Sequence, residues 1–215
     1  MSEVQVLKSL TPAQVESILG SVFRVTLSGP YAVGNTGFSR RYIKLFEELG
    51  EVSEAYLDVT GGGRKKKTYE DVLEEQVDAV IVLLDIAVLA AIDQVGAVSL
   101  PQVREVMTRH LNKCLEKSGS LTYASRCANA FEVSLRQFYL MGSAAYLQLG
   151  QSDFYLVTLT ALDGAFQLLF SDAESLWSGR PNEGASDARV QRIATLFEQK
   201  CEKWERNRAT RVSAV

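Results

Sequence analysis

Apolar residues recur at intervals of three or four positions along most of the chain, which is the spacing of one face of an α-helix. The clearest case runs from Ser39 to Asp58. Its apolar positions share one helical face and are Tyr42, Leu45, Phe46, Leu49, Val52, Tyr56 and Val59. No run of alternating apolar and polar residues indicates a set of strands. The pattern therefore predicts an all-α protein, a multi-helix bundle.

Capping and turn residues divide the chain into seven predicted helices. We expect them at about 11–23, 39–58, 68–93, 99–117, 122–149, 152–177 and 186–208. Thr11-Pro12 combines an N-cap with a proline at the first helical position. Thr68 is a second N-cap, with Asp71 at the capping-box position, and Gly61-Gly62-Gly63 ends the helix before it. A short extended piece is also compatible with residues 22–27.

The third predicted helix is apolar on nearly every side from Ala79 to Ile92, and only Asp85 interrupts it. We expect it to be the buried centre of the bundle. The run is shorter than the ~20 residues that a membrane span needs. The N-terminal residues lack the basic and apolar regions of a signal peptide. We therefore expect a cytoplasmic protein, bacterial or in the host cytoplasm if phage-encoded, with no membrane partner.

Composition excludes several classes of function. The chain has 215 residues, 47% of them hydrophobic, and a net charge of −3, which argues against a surface built for stable nucleic-acid binding. Its one histidine, His110, excludes three-histidine zinc sites and makes a di-iron site with Glu-x-x-His pairs very improbable. The cysteines Cys114, Cys127 and Cys201 are odd in number and widely spaced, as in reduced thiols. Chemistry would then depend on carboxylates, lysines or a metal held by oxygen.

Acidic residues concentrate on the second and third helices. Five of them form one stripe on the second helix, which are Glu47, Glu48, Glu51, Glu54 and Asp58. Glu75 and Asp78 lie three residues apart on the third helix and point the same way. A carboxylate in so apolar a helix is costly unless it is paired or binds a metal. Two facing helices with such acids would form an all-oxygen cage, which suits Mg²⁺ or Mn²⁺.

These residues resemble a known family, the MazG-type all-α nucleoside triphosphate pyrophosphohydrolases, relatives of the dimeric dUTPases. The resemblance covers about residues 42–89. It rests on EExxE in Phe46-Glu47-Glu48-Leu49-Gly50-Glu51 and, after 23 intervening residues, on ExxD in Glu75-Gln76-Val77-Asp78. It implies a four-helix core, here about residues 1–120, extended by the C-terminal helices of about residues 121–215. We expect the extension to complete the bundle or to form an oligomer interface.

The resemblance also implies a reaction, the hydrolysis of a (deoxy)nucleoside triphosphate to the monophosphate and pyrophosphate. Such an activity serves nucleotide-pool sanitation or the shaping of the dNTP pool. Mg²⁺ or Mn²⁺ would be bound by Glu48, Glu51, Glu75 and Asp78, and would neutralise phosphate charge and lower the pKa of the attacking water. Glu47 is the candidate to orient or deprotonate that water. Family members assemble as homodimers or homotetramers.

A triphosphate substrate also requires cations and a base-binding contact. The basic candidates lie on the acidic helix or in the loop after it, and are Arg41, Lys44, Lys65, Lys66 and Lys67. Asn35 could read a base edge, and Tyr31 or Phe38 could stack on a base. The alternative function is a non-catalytic helical binding or regulatory module that retains the bundle.

Overall fold

Residues 10–27, 35–95, 100–118, 139, 143, 154–170 and 187–212 are described by a computed structural model of the chain. They form six helices, and no strand occurs among them. The helices are α1 (Pro12–Leu27), α2 (Asn35–Val59), α3 (Tyr69–Val95), α4 (Leu100–Ser118), α5 (Phe154–Phe170) and α6 (Asp187–Val212). Tyr139 and Ser143 also have helical backbone. The prediction of an all-α multi-helix bundle is confirmed.

Among the described residues, the predicted helix boundaries differ most at the end of α1, the start of α2 and the end of α6, by four residues each. α1 continues through Leu27, so an extended piece at 22–27 is wrong. The helical apolar face continues there, since Val25 and Thr26 are buried and the Thr26 hydroxyl donates to the Val22 carbonyl at 2.9 Å. α2 begins four residues earlier than expected, at Asn35. Most of the predicted helix at 122–149 lies outside the described residues.

α3 is the centre of the bundle, as its apolar sequence predicts. Every residue from Gln76 to Ala91 is buried, and α3 packs against each of the other five helices. The C-terminal helices contribute directly to this core, for example through Phe166 of α5 and Phe197 of α6. Among the described residues, no helix combines the length and apolar character that a bilayer-spanning segment needs.

Reciprocal capping contacts fix the starts of α1 and α3. The Thr68 backbone N–H and hydroxyl donate to the Asp71 carboxylate at 2.7 and 2.6 Å, and the Asp71 N–H donates back at 3.3 Å. These hydrogen bonds from Thr68 lower the pKa of Asp71. Thr11 and Gln14 exchange the equivalent bonds at α1. The beginning of α3, which carries Glu75 one turn later, is therefore held in place.

The glycine run after α2 folds the chain back onto the last turn of that helix. Gly61 adopts a positive φ of 86°, and the Gly62 N–H donates to the Leu57 carbonyl at 2.9 Å. A Cβ at Gly63 would lie 1.7 Å from Asp58 Oδ1 and 2.5 Å from Asp58 Cα. Asp58 Oδ1 in turn accepts the Lys65 backbone N–H at 3.1 Å. The basic loop is therefore anchored to α2.

Two glycine-to-alanine variants should shift stability in opposite directions. Gly63→Ala should destabilise the protein by about 1–3 kcal/mol because the new methyl group collides with Asp58 backbone. Gly50→Ala should stabilise it by about 0.5–1 kcal/mol, since Gly50 is helical and its Cβ would meet no atom within 4 Å. Urea unfolding of both variants measures the difference. Equal stabilities of the two variants would contradict the close packing of the glycine loop against Asp58.

Candidate metal centre

The acidic side chains of α2 and α3 lie together because the two helices pack antiparallel in one register. Arg41 of α2 donates from Nε to Asp85 Oδ2 of α3 at 2.7 Å. Glu48 lies seven residues after Arg41 on α2, and Asp78 lies seven residues before Asp85 on α3. Glu51 follows three residues after Glu48, and Glu75 precedes Asp78 by three residues. One register therefore aligns both acidic motifs.

Three of the four acids of the two motifs form a tight cluster. Glu48, Glu51 and Glu75 each offer a carboxylate oxygen, and these three atoms lie within 4.8 Å of one another. Glu48 is buried, Glu75 is half-buried and Glu51 is exposed. The cluster is therefore enclosed at Glu48 and open towards solvent at Glu51.

Burial and neighbouring negative charges raise the pKa values of three acids, Glu48, Glu51 and Asp78. Burial raises the pKa of Glu48, the bond from Lys44 opposes this, and the charge of Asp78 adds to it. Burial and the charge of Glu75 raise the pKa of Glu51. Burial also raises the pKa of Asp78, against the bond from Lys200. The fold therefore holds carboxylates together at an electrostatic cost that a cation would remove.

The cluster fits a divalent cation that prefers oxygen. Mg²⁺ takes oxygen ligands at about 2.0–2.1 Å, so two ligands on opposite sides of it lie about 4 Å apart. The separation of up to 4.8 Å needs only small side-chain rotations to meet this. Glu51 has no hydrogen-bond or ion-pair partner in the described part of the chain, so its oxygens are available. The residues present are consistent with Mg²⁺ or Mn²⁺.

Two of the predicted lysines flank the cluster. Lys44 Nζ lies 2.7 Å from Glu48 and 3.0 Å from Glu47, and Lys67 Nζ lies 3.2 Å from Glu75. Burial tends to lower the pKa of Lys44, but its bonds to Glu48 and Glu47 outweigh this and raise it. Lys44 is therefore held as an ammonium group beside Glu48. Both lysines lie next to the acids, where an ammonium group can bind phosphate oxygens.

Asp78, the fourth predicted ligand, is paired with a residue that sequence reasoning missed. Lys200 of α6 donates from Nζ to Asp78 Oδ2 at 2.5 Å and lies 3.7 Å from Glu74. The sequence offered only a weak indication of this pairing. Lys200 lies between the buried Phe197 and Cys201, at the edge of the apolar face of α6, where a lysine could equally face solvent. The C-terminal half of the chain thus contributes a cation to the site.

Arg41 does not lie in the cluster. Its side chain is 10% exposed, and its ion pair with Asp85, which is 1% exposed, lies two helical turns from Glu48 towards the middle of the bundle. A phosphate contact would require this buried pair to break. The structure therefore argues against the predicted substrate contact and assigns Arg41 to neutralising Asp85 in the core.

The other predicted substrate residues lie at the periphery of the cluster or beyond it. Lys65 pairs with Glu54 at 2.9 Å, one turn from Glu51, and Lys66 is exposed in the same loop. Phe38 packs in the hydrophobic core at 7% exposure, so its ring is not presented to a base. The side chain of Asn35, the first residue of α2, and all of Tyr31 lie outside the described residues.

Glu47, the predicted proton acceptor, is not one of the three clustered acids. Its side chain is 55% exposed and shares Lys44 with Glu48. Glu47 is therefore linked to the cluster by the shared Lys44.

An open groove of about 630 Å³ lies between α1 and α4, away from the acid cluster. Its charged side chains neutralise one another, since Arg104 pairs with Glu16 at 2.6 Å and Arg109 with Glu105 at 2.7 Å. The groove therefore offers mainly charges that are already paired, whereas the acid cluster retains an unpaired carboxylate.

No family model matches the chain, and neither the curated proteins nor the solved structures that were compared with it gave a match.

Proposed function

We propose that the protein is a metal-dependent nucleotide pyrophosphohydrolase, which converts a nucleoside triphosphate to the monophosphate and pyrophosphate. The observation that carries this proposal is the convergence of Glu48, Glu51 and Glu75 from two helices, with carboxylate oxygens within 4.8 Å. Exposed acids often cluster without function, but here Glu48 is buried and its pKa is raised. A site that maintains such repulsion is a candidate for function.

The three carboxylates would hold the cation, with Asp78 as a fourth ligand. Mg²⁺ or Mn²⁺, when bound, would supply Lewis-acid neutralisation of the triphosphate and activation of water. Divalent cations bound by few carboxylates keep positions for substrate phosphates. The open side of the cluster at Glu51 is the direction from which a metal–nucleotide complex can approach.

The lysines beside the cluster would bind and orient the phosphates. Lys44 and Lys67 pair with different acids of the cluster, and lie on α2 and in the loop before α3 respectively. With a cation held by Glu48 and Glu75, both ammonium groups would be free to bind the phosphates. Glu47, exposed and one residue before Glu48, would accept the proton of the attacking water.

The remaining parts of the function are proposals on the same basis. A deoxynucleotide substrate, a role in nucleotide-pool sanitation, and a homodimer or homotetramer follow from the sequence resemblance alone. Light scattering coupled to size-exclusion chromatography measures the oligomeric state.

Pyrophosphate release tests the reaction directly. The eight common ribo- and deoxynucleoside triphosphates and dUTP should be incubated with Mg²⁺ or Mn²⁺, and the products separated by ion-exchange chromatography. We expect monophosphate plus pyrophosphate from at least one of them. Glu48→Gln and Asp78→Asn should reduce the rate by at least about 100-fold, because each removes a proposed metal ligand.

Glu54→Gln is the matched control, since Glu54 lies exposed on the same helix and outside the cluster. It should retain activity. Diphosphate plus inorganic phosphate as products would replace the proposed bond cleavage with a different one. No turnover of any substrate by folded, metal-loaded protein would favour the non-catalytic binding module.

A further inference from the structure

Of the two carboxylate oxygens of Asp78, only one has a hydrogen-bond partner among the described residues. Its carboxylate is buried, and Oδ2 accepts the Lys200 ammonium at 2.5 Å. Oδ1 is also enclosed but has no hydrogen-bond partner within the described part of the chain. A carboxylate can accept several hydrogen bonds, so a buried oxygen without any is costly. Asp78 therefore has unused capacity for a cation.

Lys200 is held inward by its position on α6. Its side chain is 13% exposed, and its ammonium contacts Asp78 and, at 3.7 Å, Glu74. The neighbouring Arg192 binds Glu70 and Glu74 on the same side of α3. α6 thus presents cations along the acidic edge of α3, and Lys200 is the one that reaches an acid of the ExxD motif.

The four acids and their lysines nearly balance in charge. Glu48, Glu51, Glu75 and Asp78 carry four negative charges, and Lys44, Lys67 and Lys200 carry three positive ones, which leaves one negative charge. A divalent cation added to this arrangement would be repelled by ammonium groups a few ångströms away in a partly buried site. Metal binding and the lysine pairs therefore oppose each other.

We propose that Lys200 is a tethered counter-ion of the metal site, which neutralises Asp78 in the metal-free protein and is displaced from it by a divalent cation. This inference rests on the proposed function, because it requires the acid cluster to bind a metal. It follows that Lys200 weakens the affinity for free metal while stabilising the metal-free fold. Neither effect depends on the identity of the nucleotide.

Calorimetric titration with Mn²⁺ alone tests the inference on three proteins: wild type, Lys200→Met and Lys203→Met. Methionine keeps the length of the lysine stem and removes its charge. Lys203 is exposed one turn further along α6, so the control carries the same change in net charge. We expect Lys200→Met to bind Mn²⁺ about fivefold more tightly or better, a typical coupling between two ligands. Lys203→Met should change the affinity much less.

Thermal unfolding of the same proteins measures the second effect, the stabilisation of the metal-free fold by Lys200. Lys200→Met should unfold at a lower temperature without metal, since Asp78 is left buried and unpaired, and should gain more from saturating Mn²⁺ than wild type does. Lys200→Arg keeps the charge and should resemble wild type in both measurements. If Lys200→Met does not fold without metal, amine labelling of the wild type still decides the question.

Acetylation of lysines by an activated ester, followed by peptide mass spectrometry, reports the displacement directly. Lys200 should react slowly in metal-free protein and faster with Mn²⁺, whereas Lys203 should react at the same rate in both. Equal or weaker Mn²⁺ binding by Lys200→Met, or unchanged labelling of Lys200, would overturn the inference while leaving the metal site intact. Absence of Mn²⁺ binding by wild type would overturn the metal site and this inference together.

Discussion

Arg41→Met should destabilise the protein by about 3–5 kcal/mol, which corresponds to a fall in the melting temperature of roughly 10 °C. The substitution removes the guanidinium that donates to Asp85 at 2.7 Å and leaves a carboxylate at 1% exposure without that charge partner. Removing one member of a buried ion pair is costly because the other charge stays desolvated. Urea unfolding measures the effect.

Two further variants separate the buried pair from a general loss of charge. Arg40→Met, at the exposed neighbouring position, should change stability little. The double variant Arg41→Met/Asp85→Leu should recover much of the loss, because both buried charges are replaced by apolar groups of similar size. A loss that persists in the double variant would mean that Arg41 acts through packing and not through Asp85.

The same variant also distinguishes the two roles considered for Arg41. If Arg41 serves only the core, the folded fraction of Arg41→Met should show the KM of wild type for the proposed triphosphate substrate. A KM about tenfold higher for fully folded Arg41→Met than for wild type would instead support the predicted contact between Arg41 and a phosphate.

Glu51→Gln should abolish metal-dependent function without cost to the metal-free fold. Glu51 is exposed, its pKa is raised by burial and by the charge of Glu75, and it has no ion-pair partner in the described part of the chain. Removing its charge should stabilise metal-free protein by a few tenths of a kcal/mol. Turnover should fall at least about 100-fold and the stabilisation by Mn²⁺ should disappear, a stability–function trade-off.

The pH dependence of this effect has a defined sign. The pKa of Glu51 is raised above its ordinary value of 4.5, so folded protein holds this proton over a range where unfolded protein has lost it. The stabilisation from protonated Glu51 is therefore present below pH 4.5 and is lost as the pH rises through the raised pKa. Stabilisation by Mn²⁺ should show the opposite trend, because protons compete with the metal.

Thermal unfolding from pH 4 to 8, with and without Mn²⁺, measures both trends. The difference between wild type and Glu51→Gln isolates Glu51 from other titrating groups. Glu54→Gln, whose carboxylate pairs with Lys65 outside the cluster, should show neither trend. A metal-free Glu51→Gln protein clearly less stable than wild type at pH 7 would show that Glu51 is a structural residue.

Periodicity and capping residues were sufficient to predict the helices. The apolar face of α2, the capping box at Thr68 and the glycines after Val59 are local features, and each produced the local structure expected of it. The uninterrupted apolar stretch of α3 likewise required burial, because such a helix has no face for solvent. The boundaries shifted where the helical face continued past the predicted end, as at Leu27, and at the start of α2, which lies four residues earlier than predicted.

The sequence also determined which acids lie on one side of each helix, since residues three or four positions apart share a face. Glu48 and Glu51 of α2 and Glu75 of α3 converge as their spacing suggested. The roles of the cations, by contrast, depend on contacts between distant segments. Lys200 reaches Asp78 across 122 residues, and Arg41 binds Asp85 across 44. Long side chains choose their partners only after the helices have packed, so the tertiary structure alone decided which cation neutralises which buried acid.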